Sequence, residues 1–142
     1  MRIFVVEGPN LNLLGIREPE LYGSETLDEL HRWLENETYP EPCEFRFFQS
    51  NSEGALIDAI HENRTWAQGI LINPAAYTHT SFALRDALSA VALPAVEVHL
   101  TDIKRREAFR AVSVIAPVCL AQRMGKGKIS YRDGINRLLK AL

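Results

Sequence analysis

Short apolar, β-branched runs alternate with longer stretches of helical periodicity along this chain, and no other feature restricts its fold as tightly. The first run, residues 2–6, is aromatic and β-branched and stops at Gly8-Pro9-Asn10, as a buried strand entering a turn does. Similar runs over 45–48, 69–72 and 95–100 predict three more strands; the third is stopped by Asn73-Pro74 and the fourth is preceded by Pro94. Thr26 is placed to cap a helix carrying Leu27, Leu30 and Leu34, and Ser52 to open one carrying Leu56, Ile57 and Ile60. Residues 81–91 read as a third helix through Phe82, Leu84, Leu88 and Val91. A fifth apolar run, 112–120, is broken by Pro117, so a strand is expected only over 112–116, and residues 130–142 close the chain as a helix.

Strands alternating with helices at this spacing predict a parallel sheet covered on both faces. Five such units match a flavodoxin-like α/β three-layer sandwich with strand order 2-1-3-4-5. The length of 142 residues suits one domain spanning 1–142, and 46% apolar with 24% charged residues is ordinary for a chain that builds its own core. Its formal net charge of -2 argues against a broad electrostatic grip on nucleic acid or anionic lipid. Cys43 and Cys119 lack the spacing of a zinc or redox motif and are expected to be buried thiols. No apolar run reaches membrane-spanning length and residues 1–7 lack a basic lead into a signal core, so a cytoplasmic protein is expected.

In sheets of this kind ligands bind outside the carboxyl ends of the strands. Asn10 and Asn12, Gln49 and Asn51, Asn73, and His99 with Glu97 two residues before it all stand there. Amides orient neutral oxygens and waters, whereas a metal would want clustered carboxylates, thiols and imidazoles, so a metal-free polar pocket is expected. Glu97 and His99 share one face of a strand and can pair; a purely structural ion pair satisfies the same spacing. A charged imidazolium held by a carboxylate is a competent general acid near neutral pH. The long charged loop 15–23 offers Arg17, Glu18 and Tyr22, a segment able to close over a substrate. Tyrosine is a poor base at neutral pH unless a neighbouring cation favours its charged form, and Arg17 is such a cation.

Four blocks carry a family resemblance: GPNLNLLGIREPELYG from Gly8, QSNSEGALIDAIH from Gln49, NPAAYTHTSFALRDAL from Asn73, and EVHLTD from Glu97 with the following REAFR. Together they resemble the type II 3-dehydroquinate dehydratases of the shikimate and quinate pathways. The resemblance implies a trans dehydration of 3-dehydroquinate to 3-dehydroshikimate through an enolate, without an imine, a metal or a cofactor. It implies Tyr22 as the base at C2, Arg17 as its activator, His99 as the acid for the departing hydroxyl, and Glu97 as its orienter. Asn73 and Asn10 would hold a water against the developing enolate oxygen. His79, Asp86, Leu100, Thr101 and Arg110 match substrate-binding positions, with Asp86 reaching a neighbouring subunit's site in trimers assembled into a dodecamer. Glu7 and Asp102 stand where the family usually has Asn and would add negative charge near an anionic substrate. The region after Ser113 lacks the family's glycine-rich strand and Gly-Tyr pair, a departure expected to bear on subunit packing more than on chemistry.

Other classes fit less well. A phosphate-binding module of the same fold would rest on Gly125-Lys126-Gly127-Lys128, but Ile129 follows where a P-loop needs Ser or Thr. A phosphoreceiver would need aspartates where Asn10 and Asn73 stand. A serine hydrolase would need a GxSxG elbow around Ser81, which is missing. A family member that has lost activity and serves as an assembly or binding protein is supported only by the departures.

Overall fold

A computed structural model describes residues 1–142. Its five parallel strands are β1 (Arg2–Glu7), β2 (Glu44–Gln49), β3 (Gly69–Asn73), β4 (Ala95–His99) and β5 (Ala121–Met124), ordered β2-β1-β3-β4-β5 as the alternation predicts. The helices are α1 (Pro19–Tyr22), α2 (Leu27–Asn36), α3 (Glu53–Asn63), α4 (Phe82–Val91) and α5 (Lys128–Ala141). Side chains alternate across a strand, so β1 to β4 each feed two cores. Ile3, Val5, Leu71, Val96 and Val98 pack with Leu30 and Leu34 of α2 and Ile135 and Leu138 of α5. Phe4, Val6, Ile70 and Ile72 pack with Leu56 and Ile60 of α3 and Leu84 and Leu88 of α4. Each such fully buried aliphatic side chain contributes about 1.5–3 kcal/mol.

The expected caps form: the side chains of Thr26, Ser52 and Ser81 accept from the amides of Glu29, Ala55 and Leu84, satisfying donors that the first turns of α2, α3 and α4 leave free. No helix is long and apolar enough to cross a membrane.

Three expectations need correction. The stretch 15–23, read as a loop, contains the one-turn helix α1, which Pro19 opens. The fifth strand is not 112–116 but β5, a half-buried edge sequence, Ala-Gln-Arg-Met. Residues 112–116 instead form an irregular segment: the Ser113 hydroxyl accepts from the amides of Ile115 and Ala116, and this local turn takes donors a strand would need. Ile115 is fully buried all the same, which accounts for the apolar run. The cysteines are half-buried rather than buried; burial still pushes the Cys119 thiol up to about 12.

Candidate active site

The first strand delivers its turn onto the third. The amide of Gly8 donates to the Asn73 carbonyl at 2.8 Å, and a Cβ on Gly8 would lie 2.4 Å from the Pro74 carbonyl oxygen, so this approach requires glycine. Asn10 then adopts a left-handed φ of 71°, and its amide donates to Asn51 Oδ1. Gln49 Nε2 donates to the Gly8 carbonyl. Of the amides expected on one rim, Gln49, Asn12 and Asn51 brace this turn and lie outside the cavity that Asn10 and Asn73 line. They hold the wall rather than forming it.

That cavity, about 170 Å³, lies at the carboxyl ends of β1, β3 and β4 and is lined by Asn10, Arg17, Tyr22, Asn73, His79, His99, Leu100, Thr101, Arg106 and Arg110, among others. Tyr22 and His99 share it. His99 is almost fully buried, and its Nε2 meets Glu97 Oε2 at 2.7 Å, which leaves Nδ1 as the free ring nitrogen. Glu97 also accepts from the Ser113 hydroxyl at 2.6 Å and from Gln122 Nε2 at 2.9 Å. Burial pushes its carboxyl up, but the bonds from His99, Ser113 and Gln122, with the His99 charge, outweigh burial and hold it below the ordinary carboxylate range. His79 Nδ1 donates to the Val112 carbonyl, a bond that fixes the ring and leaves Nε2 free.

Two guanidinium groups flank the Tyr22 ring, Arg17 at 5.1 Å and Arg106 at 5.4 Å from its centroid. The hydrogen bond to the hydroxyl comes from Arg106 Nη1, at 2.6 Å. Arg106 also faces Glu18 at 3.7 Å, so it ties both the tyrosine and the acidic residue of the loop to the segment after β4. Arg110 Nε is held by Glu107 Oε2 at 2.6 Å.

The chain matches the family model for class II dehydroquinase over residues 1–139. It is 53% identical to the 3-dehydroquinate dehydratase of Geotalea daltonii over 97% of this chain and 96% of that one. With the 3-dehydroquinate dehydratase of Acaryochloris marina it shares 54% identity over 99% of this chain and 94% of the relative. Among solved structures, the type II dehydroquinase from Butyrivibrio crossotus superposes with a TM-score of 0.94 at 44% identity, covering 98% of this chain and 97% of that one. The chain belongs to the class II dehydroquinase family.

Nine of the residues that the dehydroquinase resemblance singles out line one cavity: Asn10, Arg17, Tyr22, Asn73, His79, His99, Leu100, Thr101 and Arg110. Glu97 stands behind His99. Asp86 does not join them; it is exposed on α4, outside the cavity. Neither departure from the dehydroquinase pattern lines the cavity. Glu7 is fully buried against His31 and Tyr131, and Asp102 caps a turn by accepting from the Lys104 amide while facing Arg105. Two residues escaped sequence reasoning. Arg106 lies in the REAFR block, four residues before Arg110, and that spacing was the available signal. Tyr131 belongs to the region read as a packing element, yet its hydroxyl accepts from Asn73 Nδ2 at 3.0 Å; nothing local in the sequence announces that contact.

Proposed function

We propose that the chain is a hydro-lyase of the shikimate/quinate pathway that dehydrates 3-dehydroquinate to 3-dehydroshikimate, with trans stereochemistry and through an enolate. The carrying observation is that Tyr22 and His99 line the same small cavity, one delivered by the short helix α1 and the other by the end of β4. Tyr22 removes the C2 proton. The Arg106 hydrogen bond and the Arg17 guanidinium stabilise negative charge on its oxygen. Asn73 and Asn10 present amide dipoles, through a water, to the oxygen that becomes negative as the enolate forms. His99, held by Glu97 through Nε2, delivers a proton from Nδ1 to the departing C1 hydroxyl. Arg110 takes the substrate carboxylate, while His79, Leu100 and Thr101 hold ring hydroxyls.

Asp86 is assigned to a neighbouring subunit's cavity, in trimers that assemble to a dodecamer. Its exposed place on α4, beside a 61% exposed Phe82, supports that reading, since both side chains are free to meet a second copy.

Purified protein given 3-dehydroquinate should develop the ultraviolet absorbance of the conjugated enone. Tyr22→Phe and His99→Ala should each lower kcat by about a hundredfold or more with the fold intact. No turnover by the unaltered chain would leave an anion-binding or assembly role instead, and full activity in either variant would remove that residue from the mechanism. Borohydride with substrate should leave the protein active, because no imine forms.

A further inference from the structure

We propose that Glu7, acting through Tyr131, is a positioning residue that fixes which way the Asn73 amide faces, so that Asn73 offers the cavity an N–H donor. The inference rests on the reading of Asn73 as a group that stabilises the developing enolate.

The register of the sheet pairs Glu7 with Asn73 directly across β1 and β3, and both side chains fall on the face covered by α2 and α5. From α5, the fully buried Tyr131 places its hydroxyl between them. It donates to Glu7 Oε2 at 2.9 Å and accepts from Asn73 Nδ2 at 3.0 Å. From α2, His31 Nε2 meets Glu7 Oε1 at 2.5 Å, and the His31 ring is stacked on Phe47 at 3.9 Å. On the far side Asn73 Oδ1 accepts from the Ala75 amide at 3.2 Å, and Ala75 holds a left-handed φ of 51°. A backbone N–H can only donate, so it favours the Asn73 oxygen on that side and the nitrogen toward Tyr131, an orientation that a Tyr131 proton aimed at Asn73 would oppose. One N–H of that nitrogen is used by Tyr131, which leaves the other for the cavity that Asn73 lines.

A hydroxyl is ambivalent: it can donate either way. Tyr131 would favour the reversed amide if its proton pointed at Asn73. Glu7 removes that choice. Whether the shared proton sits on Glu7 Oε1 or on His31 Nε2, it occupies the Oε1 side, and Oε2 remains an acceptor. The Tyr131 proton is therefore drawn to Glu7 and its lone pair faces Asn73. Every polar group in the chain from His31 to Ala75 then has one consistent role, in a setting where an unmatched group is costly. An acidic residue at position 7 thus serves the cavity from the α2/α5 face of the sheet without lining it.

The test is a double-mutant cycle on the purified enzyme, reading kcat and KM separately. Tyr131→Phe and Glu7→Leu should each lower kcat about tenfold or more, with KM within about threefold, because the lost orientation matters most where charge develops. Glu7→Gln should keep at least about a third of kcat: its amide nitrogen can donate to His31 while its oxygen still accepts from Tyr131. In an Asn73→Ala background neither Tyr131→Phe nor Glu7→Leu should lower kcat further. Equal loss in both backgrounds would reduce Tyr131 and Glu7 to structural roles and overturn the proposal, as would wild-type kcat in Tyr131→Phe. Wild-type kcat in Asn73→Ala alone would overturn the site reading itself, a different failure. Far-ultraviolet dichroism and thermal melts accompany each variant, and if Glu7→Leu does not fold, Tyr131→Phe, which loses one oxygen, carries the cycle.

Discussion

His99 and Glu7 each sit in a carboxylate–imidazole pair, and burial acts on the two carboxylates with opposite outcomes. Burial pushes Glu97 up, but three hydrogen bonds and the histidine charge prevail, so its folded-state pKa lies below the unfolded value. The stability it contributes is present above the ordinary carboxylate range and is lost as pH falls through its lowered value. Burial also pushes Glu7 up, and there the bonds from His31 and Tyr131 do not overcome it. A carboxyl raised in the folded state contributes stability below its unfolded pKa, and that stability is lost as pH rises through the folded value. Glu7→Gln has no such proton to lose. Denaturant unfolding of wild type and Glu7→Gln at about pH 5 and pH 8 should therefore show the difference in stability moving in the variant's favour at the higher pH. A difference that stays constant with pH would mean that Glu7 titrates in the folded protein as it does in the unfolded chain.

Strand ends, more than helices, decide where the chemistry stands. The close approach of Gly8 to Pro74 locks the end of β1 to the end of β3, and it sets both Asn10 and Asn73. In Gly8→Ala the added carbon would meet a backbone carbonyl, which cannot rotate away. The variant should lose about 1–3 kcal/mol of stability by overpacking and also lose much of its kcat; unchanged melting would show that the turn has room to shift. The Gly8-Pro9-Asn10 turn was legible in the sequence, as were β1 to β4 within one or two residues: β1, β3 and β4 are buried on both faces and read as continuous apolar runs, and the edge strand β2 is marked by Phe45, Phe47 and Phe48. β5 was not legible. At an edge, Ala121, Gln122, Arg123 and Met124 are half-buried and carry no alternating signal, while the more apolar 112–118 segment folds as turns pinned by Ser113. Arg17 was readable as a neighbour of Tyr22 because only four residues separate them in the chain. Arg106 lies 84 residues from Tyr22, and Tyr131 lies 58 from Asn73, so both contacts exist only once the sheet has brought the segments together.

Across the whole molecule the sheet separates two polar networks that serve one cavity from opposite faces. Glu97, Ser113 and Gln122 hold His99 on the α3/α4 side, and Glu7, His31 and Tyr131 hold Asn73 on the α2/α5 side. Both networks are complete within one chain. Asp86 is the exception, since it is exposed and lines no part of its own chain's cavity. If it serves a neighbour, each cavity needs Tyr22 from one chain and Asp86 from the next, so the two residues can be supplied separately. Tyr22→Phe and Asp86→Ala homo-oligomers should each have low activity. After the two are unfolded together and refolded as a mixture, about a quarter of cavities should pair an intact Tyr22 with an intact Asp86, given closed cyclic assembly and random mixing. Activity should then rise above the average of the separately refolded variants, toward about a quarter of wild type. A mixture no better than that average would place Asp86 outside the neighbouring site, and native mass measurement on the same sample would show whether mixed assemblies had formed.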